Sequence, residues 1–329
     1  MRHKRIILIG IILIACNIIG CSSSSEEPIV IEFTEEEIAE AKELVEESVR
    51  EPLPQVKPLR NEVEPGLTPE LRSEVVISTI GNVDNLKRLI PRNPEQLSMP
   101  NYTLHAVASE EELIGGILDG KIKLMVLPMN VAARVYQKTD KNVQMLGINS
   151  TSSIQLYEEG NTIQNLRNLR NKKIVVVNEN GVLDTLLTFI VESRIPKEKN
   201  RPTIMYAETY REAIPTFVDG NSDGILLPSY LAENIMKETS ARAAFSLNDE
   251  WKKITGTSEL PLTALLYVNN GGPEAEKIVK GFFENGDKFM WKNAEEAKAS
   301  VEKYFEVLLK YNNQLIGGEI PDEGFYYQQ

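Results

Sequence analysis

Two short stretches, Leu127-Pro128-Met129-Asn130 and Leu227-Pro228-Ser229-Tyr230, carry the residue types in this 329-residue chain best suited to recognising a small molecule. Each closes an apolar run, follows an Asp-Gly pair and opens a helix-like stretch, and the two lie one hundred positions apart. A helix start presents backbone N–H groups with no intrahelical partner. Proline suits the first turn because its missing N–H would be unpaired there anyway. Tyr230 adds a ring that can stack on a planar ligand. Two further corners, Ile80-Gly81-Asn82-Val83 and Asn180-Gly181-Val182, repeat the theme, with glycine allowing close backbone approach or a positive φ. The candidate ligand-binding residues are Gly81, Asn82, Met129, Asn130, Ser152, Asn180, Gly181, Ser229 and Tyr230. Ser152 enters through the Ser150–Ser153 run, which reads equally well as a solvated linker. Taken singly, each glycine is a turn and each proline a helix start. Their shared place in a repeated frame is what points to binding.

The N-terminus narrows the chemistry. Met1–Arg5 is basic, and Ile6–Ile19 is an apolar run shorter than the ~20 residues of a stable bilayer span. Ile18-Ile19-Gly20-Cys21 follows and resembles a bacterial lipobox. That resemblance implies lipidation at Cys21, removal of residues 1–20, and anchoring on the extracytoplasmic face of a cell membrane. An uncleaved anchor and an ordinary secretion signal are the alternatives. On the lipoprotein reading Cys16 and His3 leave with the leader and Cys21 is acylated, so His105 is the one histidine remaining. No His/Cys zinc cluster can then form, and no metal or cofactor is expected. A formal charge of -12, more negative still without the basic leader, argues against nucleic acid as a partner.

The elements that position the corners are an alternation of apolar runs and amphipathic stretches. Strands are predicted near 75–79, 102–107, 123–127 and 143–149, with helices near 84–91, 109–118 and 129–138. A second series places strands near 173–178, 203–207, 224–227 and 243–247, with helices near 183–193, 209–219 and 229–238. This pattern predicts βαβ units and a mainly parallel sheet in each of two lobes, with helices on both faces. Laying 75–133 over 175–233 without a gap gives fourteen identities in fifty-nine positions, among them Gly81/Gly181, Asp84/Asp184, Asp119/Asp219 and Pro128/Pro228. Chance would give on the order of one in sixteen. Asp84 and Asp184 read as helix N-caps, and Trp251 and His105 as packing residues.

After Trp251, an apolar strand at Leu260–Val268 precedes a helix opened by Gly271-Gly272-Pro273, and a second helix opens at Asn293-x-x-Glu296. These are predicted to return to the first lobe. Lobe 1 is therefore expected over 74–150 plus 259–329 and lobe 2 over 151–258, joined by crossovers near Asn149–Leu156 and Thr257–Leu262. Residues 21–73 are expected to form a tether with an acidic helix, opened at Thr34-x-x-Glu37, and a proline-rich linker.

The stretch "LDGKIKLMVLPMNVAARVYQK" at Leu118–Lys138, then "VQMLGIN" and "NLRNKKIVVV", resembles the substrate-binding proteins of bacterial ABC importers, in particular the nitrate/sulfonate/taurine and thiamine-precursor branch. Gly120, Leu127, Pro128, Asn130, Ala132 and Ala133 match that branch's corner motif, and "SLNDEWKKITG" before the return strand is also typical. The resemblance covers about 74–310. Met129 and the glycine-poor "GNVD" loop depart from it, so the ligand class is not inherited. It implies a type II periplasmic-binding-protein-like α/β fold of two hinged lobes that close on one small molecule. It also implies a membrane permease with its ATPase as partners, and the chain is expected to be a monomer and not an enzyme. Two other readings stay open at this point: a same-fold enzyme, since some relatives dehydrate chorismate or build the thiamine pyrimidine, and a surface interaction lipoprotein that no longer transports.

Overall fold

The computed structural model describes residues 75–87, 89–90, 99–149, 153–285 and 291–328. The leader, Cys21, the acidic helix, the proline-rich linker and Ser152 lie outside the described residues. The chain runs β1 (Val75–Ile80), the single turn α1 (Val83–Leu86), β2 (Tyr102–Val107), α2 (Glu110–Leu118), β3 (Leu124–Pro128), α3 (Met129–Lys138) and β4 (Val143–Asn149). It continues through β5 (Ile154–Glu159), β6 (Lys173–Val177), α4 (Val182–Arg194), β7 (Thr203–Ala207), α5 (Tyr210–Val218), β8 (Gly224–Pro228) and α6 (Ser229–Glu238). Then come β9 (Ala241–Ser246), α7 (Leu247–Thr255), β10 (Thr263–Val268), α8 (Pro273–Asn285), β11 (Trp291–Asn293) and α9 (Ala294–Asn312).

Two sheets result, ordered β11-β4-β10-β3-β1-β2 and β7-β6-β8-β5-β9. Both are mixed, which corrects the mainly parallel expectation. The cause is specific: in each sheet, a strand arriving across a crossover inserts against the grain. β10 is antiparallel to β3 and β4, and β5 is antiparallel to β8 and β9. The neighbours β1–β2, β1–β3, β6–β7 and β6–β8 are parallel.

The two sheets repeat one plan. Leu127 faces Ala264 and Leu227 faces Gln155 at matching places, and the incoming strand carries a register shift between Leu265 and Leu266 in one sheet and between Leu156 and Tyr157 in the other. The Asp-Gly pairs end α2 and α5 alike. Gly120 and Gly220 take positive φ of 69° and 73°, and their N–H groups donate back to Ile117 O and Phe217 O.

The ungapped overlay fails at the first strand. Gly81 N donates to Val107 O, and the atom doing the same in the second sheet is Asn178 N, which donates to Ala207 O. The structural partner of Gly81 is thus Asn178, three positions short of Gly181. Both take positive φ, 87° and 64°. Gly181 has φ -77° and is the N-cap of α4. It is glycine for another reason: a Cβ there would lie 2.8 Å from Asn178 O.

The main hydrophobic cluster is continuous from β3, α3 and β4 through α4, α7 and α9, with Trp251 fully buried inside it as expected. A Phe189–Trp251–Tyr304 chain of ring contacts at 5.5 and 6.5 Å joins α4, α7 and α9. His105 contradicts its packing expectation and is exposed on the edge strand β2. Asp184 is not an N-cap but sits in the first turn of α4, where its carboxylate accepts from Asn180 N at 2.9 Å and from the Tyr206 hydroxyl at 3.2 Å. The side chain of Asp84 lies outside the described residues. Asn293 caps α9 by accepting from Glu296 N, as its spacing predicts.

Candidate ligand-binding cleft

Pro128 and Pro228 each finish a strand and serve as helix N-caps, one place earlier than the first-turn position expected of them. Neither α3 nor α6 has a side-chain cap, since proline brings no acceptor. The first N–H of each helix is spoken for in the same way. Met129 N donates to Leu262 O and Ser229 N to Ser153 O, both at 3.0 Å. Leu262 and Ser153 lie just before the incoming strands β10 and β5, so the corners are tied to the crossovers themselves.

A cavity of about 480 Å³ lies between the two corners, lined by Pro128 and Asn130 from one and by Pro228, Ser229 and Tyr230 from the other. Its volume falls within the ~300–1,000 Å³ of small-molecule sites. Aliphatic walls come from Ile80, Val126, Ile154, Val182, Leu183 and Leu262, and polar edges from Thr79, Ser153 and Thr263. Three tyrosines complete it: Tyr210 at the start of α5, Tyr230 on α6, and Tyr304 on α9.

Among the residues proposed from sequence, Asn130, Ser229 and Tyr230 line this cavity. Gly181 lines an adjoining hollow of about 370 Å³ that shares Asn130, Val182, Leu183 and Tyr210 with it. Met129 points the other way and is wholly buried in the main core cluster, because the first residue of α3 faces the sheet. Gly81 and Asn82 are exposed and lie outside both linings. Asn180 also lies outside both, and its backbone is engaged: its carbonyl accepts from Asn312 Nδ2 at 2.8 Å and its N–H donates to Asp184. Tyr210 and Tyr304 were missed. Tyr210 stands one hundred positions after Glu110, each opening its helix, and that alignment was the signal available for it.

Charge at the hollow is already paired. Arg134 lines it, and its Nε and Nη2 reach the Glu110 carboxylate at 3.0 and 2.6 Å while Nη1 donates to Leu315 O at 2.7 Å. Burial works to raise the Glu110 carboxyl, but hydrogen bonds from Arg134 and Lys138 hold it below the usual range. Burial pushes the phenols of Tyr210 and Tyr304 up, so both stay protonated donors at any ordinary pH. Among the described residues, no cluster of three or more His, Cys, Asp or Glu is placed to hold a metal. No helix among them is long and apolar enough to cross a membrane.

No family model and no curated protein matches the chain by sequence. Solved structures match by shape. An ABC transporter protein from Parabacteroides distasonis superposes with a TM-score of 0.57 at 17% identity, over 78% of this chain and 99% of that one. A putative periplasmic sulfonate-binding protein, SsuA, from Methylobacillus flagellatus gives 0.50 at 14% identity, over 73% and 86%. The chain has the two-lobe α/β fold of periplasmic binding proteins, with two crossovers between its sheets.

Proposed function

We propose that the chain is the extracytoplasmic substrate-binding protein of an ABC importer, holding one small molecule between lobe 1 (74–150 plus 259–329) and lobe 2 (151–258). One observation carries the reading: equivalent strand-to-helix corners from opposite sheets line a single cavity. A ligand touching both corners binds best when the lobes are shut, so its binding energy favours the closed form. The crossovers beside Ser153 and Leu262 are the natural hinge, because each is bonded to the helix start it must carry. The described neighbours are an ABC transporter protein and a putative sulfonate-binding protein, which supports a permease and its ATPase as partners. Lipidation at Cys21 would tether the protein, as a monomer, on the outer face of the membrane. Bound ligand would be released unchanged.

The test is thermal unfolding of the chain from residue 22 onward with the small-molecule fraction of a cell extract. A saturable rise in Tm, with no change in the compound recovered, is the expected result, by mass action on the native state. Recovery of a converted product would replace the binding reading with an enzyme, and an unmoved Tm would end it. Detergent-phase partition of the full chain, lost in Cys21→Ala, tests the anchor.

A further inference from the structure

Resting on that reading, we propose that the ligand is a planar ring bearing a carbonyl or ring-nitrogen acceptor, clasped by Tyr210, Tyr230 and Tyr304, and not a small aliphatic anion. Three independent features of the cavity lead there.

The first is the placement of the rings. Tyr230 stands on lobe 2's corner and is 44% exposed although it lines the cavity, so a flat apolar face is available to a guest. Tyr210 is close enough to Tyr230 for the two phenols to influence one another. Tyr304 lies on α9, which follows lobe 1's last strand, so aromatic surface meets the cavity from both lobes. Aromatic faces favour offset or edge-on contact with another ring, worth more than area burial alone.

The second is the state of the hydroxyls. Tyr304 is 1% exposed and its ring is fixed by Trp251 and Phe305 at 6.5 and 5.7 Å, while its hydroxyl, unlike that of Tyr326, is not among the buried polar atoms left without a partner. A phenol O–H at the wall of a cavity can donate to an acceptor on a guest there. Tyr210, half-buried, lines the same cavity. Both phenols remain protonated, so each offers a proton and seeks an acceptor.

The third is the fate of the nearest cation. Arg134 lies on the adjoining hollow with Nε and Nη2 donating to Glu110 and Nη1 to Leu315 O, and the Glu110 carboxylate is further shared with Lys138 Nζ at 2.8 Å. A ligand anion that drew Arg134 away would cost its bonds to the half-buried Glu110 and to Leu315 O. The branched aliphatic walls suit a ring edge, and no cationic side chain lines the cavity itself among the described residues.

The probes are benzamide and uracil as neutral rings with carbonyl acceptors, and taurine and ethanesulfonate as anions of similar size. Calorimetric titration of the chain from residue 22 onward should show binding of a ring probe and none of the anions. Tyr304→Phe, which keeps the ring, should weaken that binding about tenfold without lowering Tm, the loss of one hydrogen bond. Tyr210→Phe should weaken it by a smaller factor. Preferential binding of taurine or ethanesulfonate would overturn the ring assignment while leaving the binding reading intact. Failure of both ring probes to bind at about 10 mM, a concentration that reveals even weak sites, or ring binding indifferent to both tyrosine substitutions, would overturn it too. The binding reading fails separately, only when the extract fraction also leaves Tm unmoved.

Discussion

Lobe 1 and lobe 2 share strand order, the register shift in the incoming strand, and a Leu-Pro corner, yet they part at two matched positions. Where the incoming strand of lobe 2 carries Glu158, that of lobe 1 carries Tyr267. Glu158 is fully buried, pairs with Arg242, and accepts from Thr162 N and Ile163 N at 3.0 and 2.9 Å. Tyr267 performs the corresponding task with its hydroxyl, which accepts from Gly271 N at 3.0 Å. Both pin the loop that follows the strand, one with a charge and one without. Likewise Gly147 in β4 matches Phe245 in β9, since each pairs with the incoming strand just before the shift. β4 has β11 on its far side whereas β9 is a sheet edge, so only β4 must stay bare. The lesson is that the repeat preserves backbone geometry and lets side-chain chemistry follow what lies next door.

Substitutions at these positions sharpen or break the comparison. Glu158→Ala removes Arg242's carboxylate partner and unpins two N–H groups, with an expected loss of about 3 kcal/mol in urea unfolding. A loss smaller than that of Tyr267→Phe would break the parallel. Gly147→Ala puts a Cβ 2.1 Å from Lys292 O and should cost about 1–3 kcal/mol by forcing β11 away, whereas Phe245→Ala should leave the strand pairing intact. Amide exchange at Trp291–Asn293 reads the difference. Tyr267→Phe removes one uncharged hydrogen bond and should cost about 1 kcal/mol.

The smallest effect is a pH limb peculiar to lobe 1. Hydrogen bonds from Lys141 and then Tyr136 bring Asp322 down to about 2 in the folded chain. Because the folded value is depressed below the usual ~3.9, its contribution is whole above that value and fades as pH falls toward 2. Asp322→Asn should therefore lose a little stability at neutral pH and flatten the acid limb of a Tm–pH profile. An unchanged limb would show that the C-terminal segment is held without Asp322, by contacts such as the Phe325 ring, which packs on Tyr136 and Phe305 at 5.3 and 5.9 Å.

Much of this architecture was legible from sequence, because buried strands are short apolar runs closed by Gly or Pro and most helices here have caps or amphipathic stripes. β5 was missed because Asn149–Leu156 read as a crossover with no strand in it, and a buried, paired carboxylate such as Glu158 leaves no mark on polarity. α7 hid behind a familiar motif although Ser246 accepts from Asp249 N and caps it. The ungapped overlay misplaced Gly181 because valine-rich strands match one another cheaply, and the lobes' first turns differ in length. At the site, the corners were readable and the tyrosines were not. Tyr304 sits beside the Ala297, Val301, Phe305 and Leu308 stripe, where sequence alone sees only core.

The inverted strand in each sheet also bears on how the molecule is made. On the ribosome, β3 and β4 emerge long before β10, the strand that lies between them, so their facing edges stay open until all of β5 to α7 has been synthesised. The second sheet has no such wait, since its strands form one uninterrupted stretch. The later-born half should therefore mature first, and the earlier one should depend on holdase protection in the meantime.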